Sequence, residues 1–130
     1  MKSQDELILD NRGIQVHVEY RHVGGDEGWT FHVYGIEKRN EVELLRFDCF
    51  KRNPHYHYDP SGKNEEHDMD KEKIPEPLGW VMTQLKTQLP AMIEHAGYGD
   101  IARAVDQNAM AQTLAKLEKE IERFKPSASP

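Results

Sequence analysis

The stretch that decides the fold is IQVHVEYRHVGGDEGWTFHVYG, Ile14 to Gly35. Ile14, Val16, Val18 and Tyr20 alternate with Gln15, His17, Glu19 and Arg21. Successive strand side chains point to opposite faces, so a period of two predicts a half-buried β-strand. GGDEG is turn chemistry. Beyond it, Trp29, Phe31 and Val33 alternate with Thr30, His32 and Tyr34, which predicts a second strand. A one-residue slip would flip every side chain to the wrong face. Face matching therefore sets Tyr20 opposite Phe31 and Val18 opposite Val33.

Outward from this hairpin, EKRN predicts the next turn and EVELLRFDCF the next strand. Leu45, Phe47 and Cys49 share its apolar face; Arg46 and Asp48 share the other. Phe31 then faces Phe47, and Val33 faces Leu45. The same registers align Glu19, His32 and Arg46 across the polar side. That side reads either as a solvated outer face or as a polar surface lined by His17, His32, Arg46 and Asp48. LIL, just before the turn-like DNRG, offers an edge strand. Cys49 shares the parity of Phe47, so the expectation is a buried structural thiol.

The second half is helical. Leu78, Val81, Met82, Leu85, Leu89, Met92, Ile93 and Ala96 form the stripe of an amphipathic helix. Pro77 suits a helix start. Pro90 should interrupt the helix near Leu89, and Gly97 should stop it. Asp100 offers a cap for a short turn at IARAV. Met110, Leu114, Leu117, Ile121 and Phe124 make a seam-like spacing on a last helix. That seam fits the first helix or a second copy of the chain, so a homodimer through the C-terminal helices is one expectation. Strands followed by helices predict an α+β fold: an antiparallel β-meander of three to four strands, then two or three α-helices packed on one face. One domain is expected over residues 1–125, with 126–130 as a disordered tail.

The chain has 130 residues and a formal net charge of −6. That length suffices for one buried core without staples. The acidic balance argues against double-stranded nucleic acid, because affinity there rests on Lys and Arg at phosphates. A single cysteine rules out an internal disulfide. MKSQDELILD has no apolar core of signal-peptide length, and no stretch approaches the roughly 20 apolar residues of a membrane span. The expectation is a soluble cytoplasmic protein with no membrane partner.

Residues 51–76 read as an irregular loop, and loops of that length inside compact domains are often functional. Within it, HYHY suggests a short extended segment, with His55 and His57 on one side and Tyr56 and Tyr58 on the other. H-x-H on an extended segment brings two imidazoles to one face, which suits a divalent metal such as Zn or Mn. His67, Asp59, Asp68 or Asp70 would complete the set, and His55, His57 and His67 are the candidate metal ligands. Histidine is also the usual general base near neutral pH. The candidate catalytic residues are therefore Asp48, His55, His57 and His67. Arg46, Arg52, Lys51 and Lys63 offer charge for a phosphate or carboxylate. Tyr56, Tyr58 and Phe50, beside Lys51 and Arg52, offer stacking for single-stranded RNA or DNA. The ligand-binding set is Arg46, Arg52, Tyr56, Tyr58 and Lys63.

The strings R-F-D-C-F-x-x-x-P-H-Y-H-Y, G-K-N, L-x-W and L-P-A-M-I-x-x-A-G-Y resemble a small uncharacterised prokaryotic domain family of unknown function. The resemblance covers roughly Gly13 to Gln107 and implies a single domain unit. Arg46-Phe47-Asp48 with His55, His57 and His67 is also similar to TumE-like toxins, which implies a toxin–antitoxin component. Two classes of function are thus expected. One is a His/Asp-rich site for metal or phosphate, with metal-assisted or His-mediated phosphoester chemistry if it is enzymatic. The other is a non-enzymatic interaction module.

Overall fold

A computed structural model describes residues 6–11 and 13–124. The strands are β1 (Glu6–Asn11), β2 (Ile14–Val23), β3 (Asp26–Glu37), β4 (Asn40–Phe50), β5 (His55–Tyr58) and β6 (Glu65–Asp68). They form one antiparallel sheet in sequence order. The helices follow as α1 (Pro77–Thr87), α2 (Leu89–His95), α3 (Gly99–Ala104) and α4 (Gln107–Arg123). The α+β order holds, but among the described residues the sheet has six strands rather than three to four, and four helices follow rather than two or three. The expected tail, 126–130, lies outside the described residues.

The first hairpin corrects the expected register. Gly24 and Gly25, at φ +54° and +84°, form the whole turn. Two positive φ values in a two-residue loop match the twist of paired strands. Asp26, Glu27 and Gly28 therefore belong to β3, and each partner shifts by two positions. Val18 faces Phe31, Tyr20 faces Trp29 and Val16 faces Val33. A shift of two preserves the faces, which is why apolar matching alone could not detect it. Phe31–Phe47 and Val33–Leu45 pair as expected. Between Val33 and Tyr34 the ladder shifts, and Leu44 is the extra residue of a β-bulge. Leu44 and Leu45 are consequently both fully buried.

The apolar face carries Val16, Val18, Phe31, Val33, Phe47 and Cys49, packed against Val81, Leu85, Leu89, Ile93, Met110 and Leu114. Burial pushes the Cys49 thiol pKa far up, so this cysteine is a core residue. Pro77 starts α1, and α1 ends at Thr87 before Pro90 opens α2. Gly97, at φ +103°, ends that segment. Tyr98 rather than Asp100 occupies the cap position of α3, and Asp100 sits in its first turn. The Asp106 carboxylate accepts from the Ala109 amide at 3.0 Å and starts α4. The seam of Met110, Leu114, Leu117 and Ile121 is buried within the chain, where α4 meets α1 and β1. Within the chain, α1 and β1 thus lie against this seam. No helix among the described residues is long and apolar enough to cross a membrane.

Candidate functional site

The segment expected as an irregular loop contains a hairpin. Its turn is organised by Asp59, which adopts φ +52°. The Asp59 carbonyl accepts from the Gly62 and Asn64 amides. Its carboxylate accepts from the Lys63 amide at 2.8 Å and from the Tyr98 hydroxyl at 2.6 Å. Asp59 is therefore a turn staple and stands outside the cluster of Asp48, His55 and His57. The hairpin lays β5 along β4, setting His55 opposite Asp48 and His57 opposite Arg46.

Asp48 is the centre of the resulting cluster and is 1 % exposed. Thr30 Oγ1 donates to its Oδ1 at 2.8 Å, and Arg21 lies 3.4 Å from the same oxygen. Its Oδ2 lies 3.0 Å from His55 Nε2, 3.4 Å from Arg46 Nε and 3.8 Å from His57 Nε2. Burial opposes ionisation of Asp48, but the bonds from His55 and Thr30 and the charges of His55 and Arg46 outweigh it. The carboxyl titrates below its ordinary range.

The two histidines are held alike and titrate in opposite directions. His55 Nδ1 donates to the Asn53 carbonyl at 2.9 Å, and its Nε2 faces Asp48. The Asp48 bond raises its pKa against the opposing effect of burial. His57, 4 % exposed, donates through Nδ1 to Asn64 Oδ1 at 2.8 Å, and its Nε2 accepts from Arg46 at 2.9 Å. Burial, then Arg46, lowers its pKa and favours the neutral ring. Asp48, His55 and His57 each offer one ligand atom, and these atoms lie within 4.8 Å of one another.

His67 does not join this group. It stands opposite Tyr56 on β6, and strand alternation places both on the far face of the hairpin. Its ring stacks on Tyr56 at 5.2 Å and its Nε2 bonds Glu65 at 2.5 Å. The expected three-histidine set is therefore not assembled here; Asp48 stands third beside His55 and His57. Asp68 is exposed opposite His55, and Asp70 bonds local amides at 74 and 72. Arg52 and Lys63 are exposed, and each contributes its backbone amide to an aspartate, Asp26 and Asp59 respectively. Tyr56 and Tyr58 point toward α1 and α2 with Trp80 and His95.

The polar side of the sheet continues across β2 and β3. His32 bridges Glu43 at 2.6 Å and Glu19 at 2.8 Å. Arg46 is its cross-strand partner, yet Glu43 rather than Arg46 takes its nitrogen. Burial lowers the His32 pKa, but the two carboxylates more than reverse this and it ends raised. Sequence reasoning missed Arg21, Thr30 and Asn64. Thr30 and Arg21 share the site's face by alternation, a signal that was present. Asn64 reaches His57 only because the Asp59 turn brings β6 back.

The family model described as a domain of unknown function (DUF7700) matches residues 8–121. No curated protein and no solved structure matches the chain.

Proposed function

This chain belongs to the DUF7700 family, and we propose that Asp48, His55 and His57 form a centre for a divalent first-row metal such as Zn or Mn. One observation carries the reading: both imidazoles turn Nε2 toward one carboxylate while an oxygen atom fixes each Nδ1. Metal-binding histidines are oriented in this way, with the second nitrogen donating to a carbonyl or similar acceptor. Tetrahedral ligands at 2.0–2.1 Å from an ion lie about 3.3 Å apart. The Asp48 oxygen is 3.0 Å from one imidazole and 3.8 Å from the other, so small side-chain rotations suffice. Two histidines and one carboxylate are also a ligand count typical of catalytic rather than structural sites.

Acid–base catalysis by the histidines alone is less well supported. Both ring nitrogens of His55 and His57 already have protein partners, so neither ring has a free edge for a substrate proton. With the proton on His55 Nε2 released, His55 and Asp48 would instead both be available to hold a metal. Bound at such a centre, a metal lowers the pKa of a coordinated water and supports hydrolysis. Arg21 and Arg46 stand beside the carboxylate as partners for an anionic ester group.

Arg46 also competes with the metal, because it donates to the His57 lone pair that the metal would use. Its side chain is 29 % exposed, which gives it a route into solvent. The reading therefore predicts that Arg46→Met tightens metal binding. The test is equilibrium dialysis of untagged protein against Zn²⁺ and Mn²⁺, followed by metal analysis. One equivalent bound by the wild type, lost in His55→Ala and His57→Ala, is the expected result. Equal binding by wild type and both alanine variants overturns it. A second reading, an ion-pair network that only fastens β5 to β4, is favoured by the same saturated nitrogens. It predicts no stoichiometric metal in any of these proteins.

A further inference from the structure

On the opposite side of β5, Tyr56 and Tyr58 open into a hollow of about 470 Å³. Trp80 of α1 and His95 of α2 complete its ring walls, and Gln84 and Gln88 border it. Tyr56 lies 5.3 Å from Trp80 at 47°, Tyr56 lies 5.7 Å from Tyr58 at 73°, and Tyr58 lies 4.2 Å from His95 at 52°. Neighbouring rings are thus inclined walls. A slot for a planar ring would need two parallel faces about 7 Å apart, so that a third ring stacks between them. Inclined walls suit a rounded group that touches several ring faces together.

The electrostatics point to a cation. No Lys or Arg is among the residues that line the hollow. Glu65 stands at its rim, bonded to His67 at 2.5 Å and His95 at 3.0 Å. Ring faces carry negative quadrupole potential. Burial first, then Tyr56 and Glu65, push the Tyr58 hydroxyl up to about 12, so it stays protonated at neutral pH. Tyr56 is stacked between Phe47 at 5.9 Å and His67 at 5.2 Å, so its two faces are covered and it supports the hollow rather than offering a face; His67 is edge-on to Tyr58.

We propose that the rings of Tyr58, Trp80 and His95 form an aromatic cage for an alkylammonium group, with Tyr56 as its floor and Glu65 as the adjacent counter-charge. A choline-type small molecule and a methylated lysine side chain share this chemistry. The cage and the metal centre lie on opposite faces of β5, so neither reading depends on the other.

Trp80 is half-buried at the hollow while Trp29 is in the core, so emission changes report chiefly on Trp80. Tetramethylammonium should alter that emission along a saturable isotherm. Choline should do the same, and its neutral isostere 3,3-dimethyl-1-butanol should bind about tenfold more weakly or worse. Tyr58→Leu should weaken choline binding by about tenfold, and Glu65→Gln by a smaller factor, with the far-ultraviolet spectrum of the wild type retained. A peptide with trimethyl-lysine that competes with choline, and binds more tightly than it, assigns the cage to a protein partner. A peptide that fails to compete leaves a free small molecule as the ligand. Equal binding of choline and the neutral isostere overturns the proposal. So does an absent response to tetramethylammonium, or tighter binding of adenosine than of choline. If Tyr58→Leu unfolds, the isostere comparison on wild-type protein still decides the matter.

Discussion

Replacing Asp48 by asparagine keeps the shape of the side chain and removes the charge at the centre of the cluster. Thr30, His55, Arg21 and Arg46 all face that carboxylate, at 2.8, 3.0, 3.4 and 3.4 Å. Removing one member of a buried ionic group costs about 3–5 kcal/mol, because the remaining charges are left without a partner. Here the Arg21 and Arg46 side chains are 34 % and 29 % exposed. Both can rehydrate, and exposed pairs contribute only about 0–1 kcal/mol. The expected loss is therefore about 2 kcal/mol, below the fully buried case. For a domain of this size that corresponds to a fall in Tm of about 6–10 °C. Urea unfolding at neutral pH, followed by tryptophan emission, measures it directly. The same samples with added Zn²⁺ test the metal reading separately. A ligand at 100 times its Kd stabilises the folded state by about 2.7 kcal/mol, and this increment should appear in the wild type and vanish in Asp48→Asn. A variant within about 0.5 kcal/mol of wild type would refute the view that this carboxylate holds the cluster together.

Four further outcomes follow from the structure. His67→Ala should retain stoichiometric metal binding where His57→Ala loses it, as dialysis and metal analysis will show, because His67 lies on the other face of the hairpin. The pKa of His55 is raised in the folded state, so its contribution to stability is complete below its unfolded value near 6.5 and is lost as pH rises through the folded value. Metal-free protein should therefore weaken from pH 6.5 upward in urea titrations and His55→Gln should not, while metal affinity of the wild type rises over the same range. Asp48 acts oppositely: its pKa is lowered, so its contribution is present above about pH 4 and is lost as pH falls through the folded value. Gly28→Ala should cost more than about 2 kcal/mol in chemical denaturation, since a Cβ there would stand 2.1 Å from the Cys49 carbonyl oxygen and the two strands would have to part.

Much of the site was legible because strand alternation does not depend on long-range contacts. Once His55-Tyr56-His57-Tyr58 is extended, the two histidines share a face, and so do Arg46 and Asp48. The partners were not legible. His55 meets Asp48, seven residues earlier in the chain, only when the chain folds back after Phe50. The backbone amides of Arg52 and Asn53 fix that return by binding the Asp26 carboxylate at 2.9 Å each. The face of His67 was equally hidden. It depends on the number of residues in the Asp59 turn, and one more or one fewer would have put His67 on the side of His57.

The sequence by itself determined which side chains share each face of β2, β3, β5 and the end of β4, where α1 gives way to α2 at Pro90, and that strands precede helices. These follow from local periodicity, proline geometry and order along the chain. Only the tertiary structure decided which faces meet. Two residues at Gly24-Gly25 set the register of β2 on β3. The Asp59 and Asp26 carboxylates, each binding backbone amides, decided that β5 closes on β4. The Asp48 cluster exists because those turns are short and satisfied: Asp59 binds amides three to five residues on, while Asp26 binds Arg52 and Asn53 from far along the chain, a contact that no local pattern encodes.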